Sequence, residues 1–229
     1  MGNKTRFLSI IIGILFPLIV LITAIEWASF DKSFFMNQVE ENNVVVNTGI
    51  AEADMESVVD EILSYLRGTR SDFDIKAHIT EKGITSSAPV SIFNEQEMTH
   101  MGDVRALLNS ALTIRNIALL LFLIALVFLS KDNRRLLIKG LFYGSAISLV
   151  IILIIGGIFT LNFDGAFTLF HQLFFSNNLW IMNPDTDLLI WIVPGPFFFN
   201  LIARMVLYAV IPLGITAIGT GIILLKKKK

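Results

Sequence analysis

Apolar residues in this chain run in long blocks. Four blocks, at about 7–26, 112–130, 141–161 and 205–225, are long enough to be bilayer-crossing helices, because a span needs about 20 mostly apolar residues. Two more polar stretches separate them, about 27–111 and about 162–204. The pattern predicts an all-α-dominated polytopic membrane protein. It has four transmembrane helices, a small mixed α/β extracytoplasmic cap over 27–111, and an interfacial or re-entrant second outer loop over 162–204. The first block reads as a retained span: its apolar core is long, and Thr23-Ala24-Ile25-Glu26 offers no small-x-small cleavage site.

Inside the cap, "MESVVDEILSYL" puts Met55, Val58, Val59, Ile62, Leu63 and Leu66 at helical spacing, opposite an acidic face. "VVVNTGI" at 44–50 reads as a short strand and turn. A second helix is predicted from near Asn94, with Glu97 completing a capping box, and continues toward the second span. The 162–204 loop holds eight Phe and two Trp but is broken by Pro184, Pro194 and Pro196. Aromatic residues at that density suit the boundary between water and lipid. Non-helical backbone at that depth must be buried in protein or line a wet cavity. Gly156-Gly157 in the third span reads as a place for close helix packing.

Composition narrows the chemistry. The chain is 54% hydrophobic and only 16% charged, which fits a membrane protein better than a soluble domain. It has no cysteine, so disulfides, thiolate nucleophiles and Cys-ligated zinc are excluded. The net charge of −1 hides an asymmetry. Lys4 and Arg6, then Lys131, Arg134, Arg135 and Lys139, then Lys226 to Lys229 fall on alternate ends of the spans. The positive-inside rule makes those ends cytoplasmic and predicts both termini inside. The opposite side is acidic, which argues against nucleic acid as a partner.

The chain has three histidines. His78 lies in a polar loop and reads as solvated. His100 and His171 fall near the outer ends of the second and third spans, so the two are placed to meet on one side of the membrane. Ionisable groups at such depth are costly and read as functional, and imidazole can accept and return a proton near neutral pH. Asp103, Asp164, Asp185 and Asp187 are available to orient an imidazole. Asp103 can pair with His100 on its own helix or serve the other segment, and Asp164 shares a face with His171 if their helix is continuous. Asn183, Asp185 and Asp187 belong to the turn "NPDTD", where Asp185 or Thr186 can cap the helix beginning "DLLIWIV". Arg105 and Arg115 are placed to meet outer acids or lipid phosphate, with snorkelling the simpler reading for Arg115. Trp180 and Trp191 read as interfacial anchors, and Glu26 and Glu97 as boundary and capping acids. A metal site built on Glu97, His100, Asp103 and His171 lacks an HExxH signature, and no GxSxG marks a serine nucleophile. No metal and no cofactor is expected. The competing classes are a non-enzymatic membrane module that binds exported proteins, an intramembrane metallohydrolase and a transporter.

"NEQEMTHMGDVRAL" and "FHQLFFSNNLWIMNPDTDLLIWIVP", with "LSYLRG" in the cap, resemble the motif blocks of the lipoprotein intramolecular transacylase family, a four-span bacterial membrane family. The resemblance covers nearly the whole chain. It implies an acyltransferase of the bacterial cell membrane, active at the outer face. The substrate would be a lipoprotein with an S-diacylglyceryl cysteine, in contact with membrane lipid. Its sn-2 acyl chain would move to the α-amino group of the same cysteine, leaving an N-acyl lyso-form lipoprotein. The family's two functional histidines fall on His100 and His171. Asp103, Arg105, Trp180, Asn183, Asp185 and Asp187 are the orienting and substrate-binding candidates. With Asp103 beside it, His100 is expected to be the base and His171 the acid or oxyanion donor.

Overall fold

A computed structural model describes residues 3–81 and 83–226. They fold as α1 (Asn3–Ser29), α2 (Lys32–Glu41), α3 (Val44–Thr48), α4 (Glu52–Arg67), β1 (Lys76–Ala77), β2 (Thr80–Glu81), β3 (Ile84–Thr85), β4 (Val90–Ser91), α5 (Glu95–Asp132), α6 (Arg134–Leu161), α7 (Phe163–Phe174), α8 (Leu189–Ile192) and α9 (Gly195–Lys226). The chain is mostly helical. Its four long apolar helices, α1, α5, α6 and α9, have 27, 38, 28 and 32 residues. At about 1.5 Å of rise per residue, each is long enough to cross a bilayer. The chain is a multi-pass membrane protein.

Two compact units divide the chain. One holds the described residues up to Ala28, Ser110–Asn162, and those from Ile202 onward. Its interior is thin, as suits helices packed in lipid. Ile12, Ala125, Leu129 and Leu137 form one buried cluster, and Ala24, Ile152, Ala209 and Leu213 form another. α1 and α6 meet through small residues. A Cβ added to Gly140 or Gly144 would collide with the backbone oxygen of Ser9 or Gly13, and the Ser9 hydroxyl donates to Leu136 O at 2.7 Å. This small-xxx-small seam lets two backbones approach. It lies more than three helical turns N-terminal of the expected site: nothing lies within 4 Å of a Cβ on Gly157, and one on Gly156 meets only Val206 at 3.7 Å. Arg115 does not snorkel away; its guanidinium donates to the Glu26 carboxylate.

The other unit holds Ser29–Asn109 and Phe163–Leu201. The predicted apolar face of α4 is its centre, with Met55, Val58, Val59, Ile62, Leu63 and Leu66 buried. Phe73 stacks on Phe93 at 4.7 Å beside it. β1 pairs antiparallel with β4, Lys76 opposite Ser91, and β2 with β3 across a turn at Gly83, whose φ of +80° suits glycine. The 44–50 stretch is a helical turn, not a strand. The Thr48 hydroxyl donates to Val44 O at 2.8 Å, and Gly49, at φ +69°, closes the turn by donating to Val45 O at 3.0 Å. Burial of Val44 overrides the strand preference of three successive valines. His78 is not simply solvated: Asp54 Oδ2 lies 2.7 Å from its Nδ1 and accepts from its backbone N–H.

Candidate functional site

The site begins with a capping box. Asn94 Oδ1 accepts from Glu97 N at 3.0 Å, and Glu97 Oε2 accepts from Asn94 N at 2.8 Å. This reciprocal pair starts α5 one residue after Asn94 and puts His100 on its second turn. Glu97 is almost fully buried, and its other oxygen accepts from Leu189 N at 2.7 Å. The cap of α8 is therefore supplied from α5, not by Asp185 or Thr186. Both carboxylate oxygens of Glu97 are thus engaged by backbone N–H groups. Among the described residues no three His, Asp or Glu side chains converge as metal ligands.

His171 comes from α7, a continuous helix whose buried side chains include Ala166 and His171. The rings of His100 and His171 lie 6.0 Å apart between centroids, inclined by 35°. Each histidine is only 7% exposed. Phe175 packs against both, at 5.2 Å from His100 and 5.4 Å from His171. Phe167 at 4.2 Å, Phe170 at 5.3 Å and Trp180 at 4.9 Å complete the wall around His171.

The two imidazoles differ at the nitrogen. His171 Nδ1 lies 2.8 Å from Phe167 O. A carbonyl only accepts, so the proton is assigned to Nδ1 and the Nε2 lone pair of the neutral ring is free. Burial pushes the His171 pKa below the ordinary imidazole value, and the bond to Phe167 only partly offsets it. His100 Nδ1 is buried without a hydrogen-bond partner. A proton there would be a buried, unsatisfied donor, so the tautomer with its proton on Nε2 is the cheaper one.

The loop after α7 is stapled to the first turns of α5. Gln96 donates to Leu179 O at 3.2 Å and to Ile181 O at 2.9 Å. Asp103 Oδ2 accepts from Asn177 Nδ2 at 2.9 Å, and no described bond joins it to His100. Asp187 is buried and accepts from Asn94 Nδ2 at 2.8 Å, Asn183 N at 2.6 Å and Thr186 Oγ1 at 2.8 Å. Burial alone would raise the Asp187 carboxyl, but these three donors hold it below the usual carboxylate range. Asn183 also accepts from Asp185 N at 3.1 Å, and Asp185 itself is exposed. Arg105 stands apart, stacked 4.7 Å over the Tyr65 ring and donating to Arg70 O at 3.1 Å. Asp164 is exposed two turns before His171 and lines a separate open hollow of about 410 Å³ with Phe163, Gly195, Pro196, Phe199 and Asn200.

A sequence model described as "Lipoprotein intramolecular transacylase Lit" matches residues 10–198. The chain belongs to that family. Its fold is also similar to solved structures of the membrane-integral lipoprotein intramolecular transacylase Lit from Bacillus cereus. One has a TM-score of 0.79 at 19% identity, covering 100% of this chain and 99% of that one. Two others, in each of which one histidine has been replaced, have TM-scores of 0.74 and 0.75 at 18% identity, each covering 99% of this chain and 95% or 96% of theirs. At that identity the likeness establishes the fold. Comparison with curated proteins gave no match.

In this transacylase-family chain, His100, His171, Asp103 and Trp180 gather around one point, Asn183 and Asp187 build the adjoining turn, and Asp185 and Arg105 lie off to its sides. Phe167 and Phe175 went unmarked in the sequence, although each is four residues from His171 and so on its helical face. Asn177 and Gln96 carried no signal beyond lying inside the two motif blocks.

Proposed function

We propose that this protein moves the sn-2 acyl chain of an S-diacylglyceryl-cysteine lipoprotein onto the α-amino group of the same cysteine. The product is an N-acyl, lyso-form lipoprotein. The observation that carries the reading is the pair of buried imidazoles 6.0 Å apart, held on two helices inside the region that matches the transacylase family.

In this reading His171 is the base and His100 the oxyanion donor, the reverse of the assignment drawn from Asp103. The amine nitrogen attacks the ester carbonyl, and His171 Nε2 takes its proton. The tetrahedral oxyanion accepts from His100 Nε2–H. As the intermediate collapses, the N–C amide bond stays, the C–O ester bond breaks, and His171 returns the proton to the sn-2 alkoxide. No proton is left over and no covalent enzyme intermediate forms. Donor and acceptor belong to one substrate molecule, so holding them in register supplies much of the rate.

The same reading puts four helices across the membrane with both termini cytoplasmic, and the segments at about 27–111 and about 162–204 at the outer face. The exposed face of α7, with Leu169, Leu173 and Phe174, then lies in the interface. The reacting ester and amine would stand at headgroup depth.

The test is expression in a bacterial host that leaves its lipoproteins diacylated, followed by tandem mass spectrometry of the N-terminal lipopeptide. The shift is isomeric, so only fragment ions reveal acyl on nitrogen. An N-acyl lyso-glyceryl peptide is expected. An unchanged diacylglyceryl peptide, with the protein folded in the membrane, would put the non-enzymatic binding module first.

A further inference from the structure

The aromatic wall around His171 is not held by apolar packing alone. Asn177, half-buried in the loop after α7, makes three hydrogen bonds. Its Nδ2 donates to Asp103 Oδ2 at 2.9 Å. Its Oδ1 accepts from Leu179 N at 3.0 Å. Its backbone carbonyl accepts from Trp180 Nε1 at 3.0 Å. The Trp180 ring in turn lies 4.9 Å from His171, inclined by 31°. A single asparagine therefore ties the helix that carries His100 to the indole that covers His171. The His171 ring has one polar anchor of its own, the Phe167 carbonyl, and that bond leaves the tilt of its Nε2 edge to the surrounding rings.

We propose that Asn177 is a positioning residue: through Trp180 it fixes the plane of the His171 imidazole relative to His100. The inference rests on the transacylase reading for its consequence to rate, but not for its geometry. Asp103, expected to orient an imidazole, then acts at one remove, as the acceptor that holds the Asn177 amide. Because the link fixes orientation, its loss acts on the chemical step and leaves substrate binding largely intact.

Two measurements on the full chain test this. In the first, kcat and KM for N-acyl product are compared across variants. Asn177→Ala is expected to lower kcat roughly ten- to a hundredfold with KM little changed, the scale of a small misplacement of a reacting group. Asn177→Asp places two carboxylates together and lowers it further. Adding Asp103→Asn to it restores a donor facing an acceptor and recovers part of the loss. In the second, Trp27→Phe and Trp191→Phe leave Trp180 as the sole tryptophan. Its fluorescence is followed from pH 7 to 5, because a protonated imidazole in contact quenches indole. Quenching that vanishes in His171→Gln and shrinks in Asn177→Ala is expected. Should Asn177→Ala fail to fold, Trp180→Phe keeps an aromatic side chain but removes the indole N–H that bonds Asn177 O, along with part of the ring, and is expected to show at least the same fall in kcat. Wild-type rate and wild-type quenching in Asn177→Ala overturn the proposal. So does a lost rate with unchanged quenching, since the residue then acts by another route. If the unaltered chain makes no N-acyl product, the transacylase reading fails, and the fluorescence arm still decides the role of Asn177.

Discussion

Phe175 stands against both imidazoles, its ring 5.2 Å from His100 and 5.4 Å from His171. One apolar ring therefore flanks both imidazoles. The imidazole centroids sit 6.0 Å apart, and no described hydrogen bond joins the two rings. At that separation both can reach a substrate carbon without reaching each other.

If His171 carries the proton, His171→Gln removes the base and keeps much of the volume. The expected outcome is loss of at least about a hundredfold in kcat, the usual share of a positioned acid or base. His100→Gln retains an N–H donor on a longer reach and is expected to lose less than His100→Ala. Single-turnover assays with a synthetic diacyl lipopeptide, at substrate above KM, would measure both. A His171→Gln enzyme with full turnover contradicts the scheme.

The pH dependence follows from burial. The His171 pKa lies below the ordinary 6.5 because its charged form is desolvated. A base acts when neutral, so its protonation limits the rate only as pH falls below about 6.5. The substrate amine, with an ordinary pKa of about 7.7–8.0, must also be neutral to attack. The logarithm of kcat/KM is therefore expected to bend downward near pH 8, to approach unit slope by about pH 7 and to steepen beyond one only below about pH 6.5. A slope already near two at pH 7 would mean that the base titrates well above the ordinary imidazole value, against the direction that burial sets for His171.

Glu97 is a structural acid, and its loss should show in stability. Its carboxylate accepts from Asn94 N and Leu189 N, and it is almost fully buried. Glu97→Ala leaves the buried Leu189 N–H unpaired, at a cost of about 1–3 kcal/mol, and strips the cap from the more exposed Asn94 N–H, which water can reach. Glu97→Gln keeps one carbonyl oxygen and is expected to cost about half as much. Thermal unfolding in a fixed detergent would rank the two, and equal midpoints for wild type and Glu97→Ala would remove the argument.

Much of this was legible where one physical signal dominated. Apolar run length marked four long helices, and a 3.6-residue period marked the buried face of α4. The Asn94 and Glu97 pair declared the start of α5, and both histidines sat where the pattern brought α5 and α7 together. The failures share a cause: each depended on a partner distant in sequence. Val44 to Val46 carry strand propensity, yet tertiary burial of Val44 makes the turn helical. Asp103 has a histidine three residues before it, and nothing local reveals that Asn177, 74 positions on, takes its carboxylate. The second oxygen of Glu97 reaches Leu189 across 92 positions. Glycines are the sharpest case, since a seam and an open face look alike until the second helix is in place.

Those glycines give a prediction whose sign differs between two similar substitutions. Gly144 faces Gly13 on α1, and a Cβ there would overlap backbone atoms, which cannot rotate away. Gly144→Ala must push α1 and α6 apart, lose contacts along the seam and strain the Ser9 bond to Leu136. A cost of about 1–3 kcal/mol is expected, as for overpacking elsewhere. Gly157 lies on the same helix with nothing within 4 Å of a new Cβ. There alanine meets no neighbour and restricts the unfolded chain, so Gly157→Ala should be neutral or stabilising by about 0.5–1 kcal/mol. Thermal midpoints of the two variants in one detergent decide the matter. Lowering by Gly144→Ala alone places the α1–α6 contact at Gly140 and Gly144. Lowering by Gly157→Ala of equal size would mean that a second helix approaches α6 there.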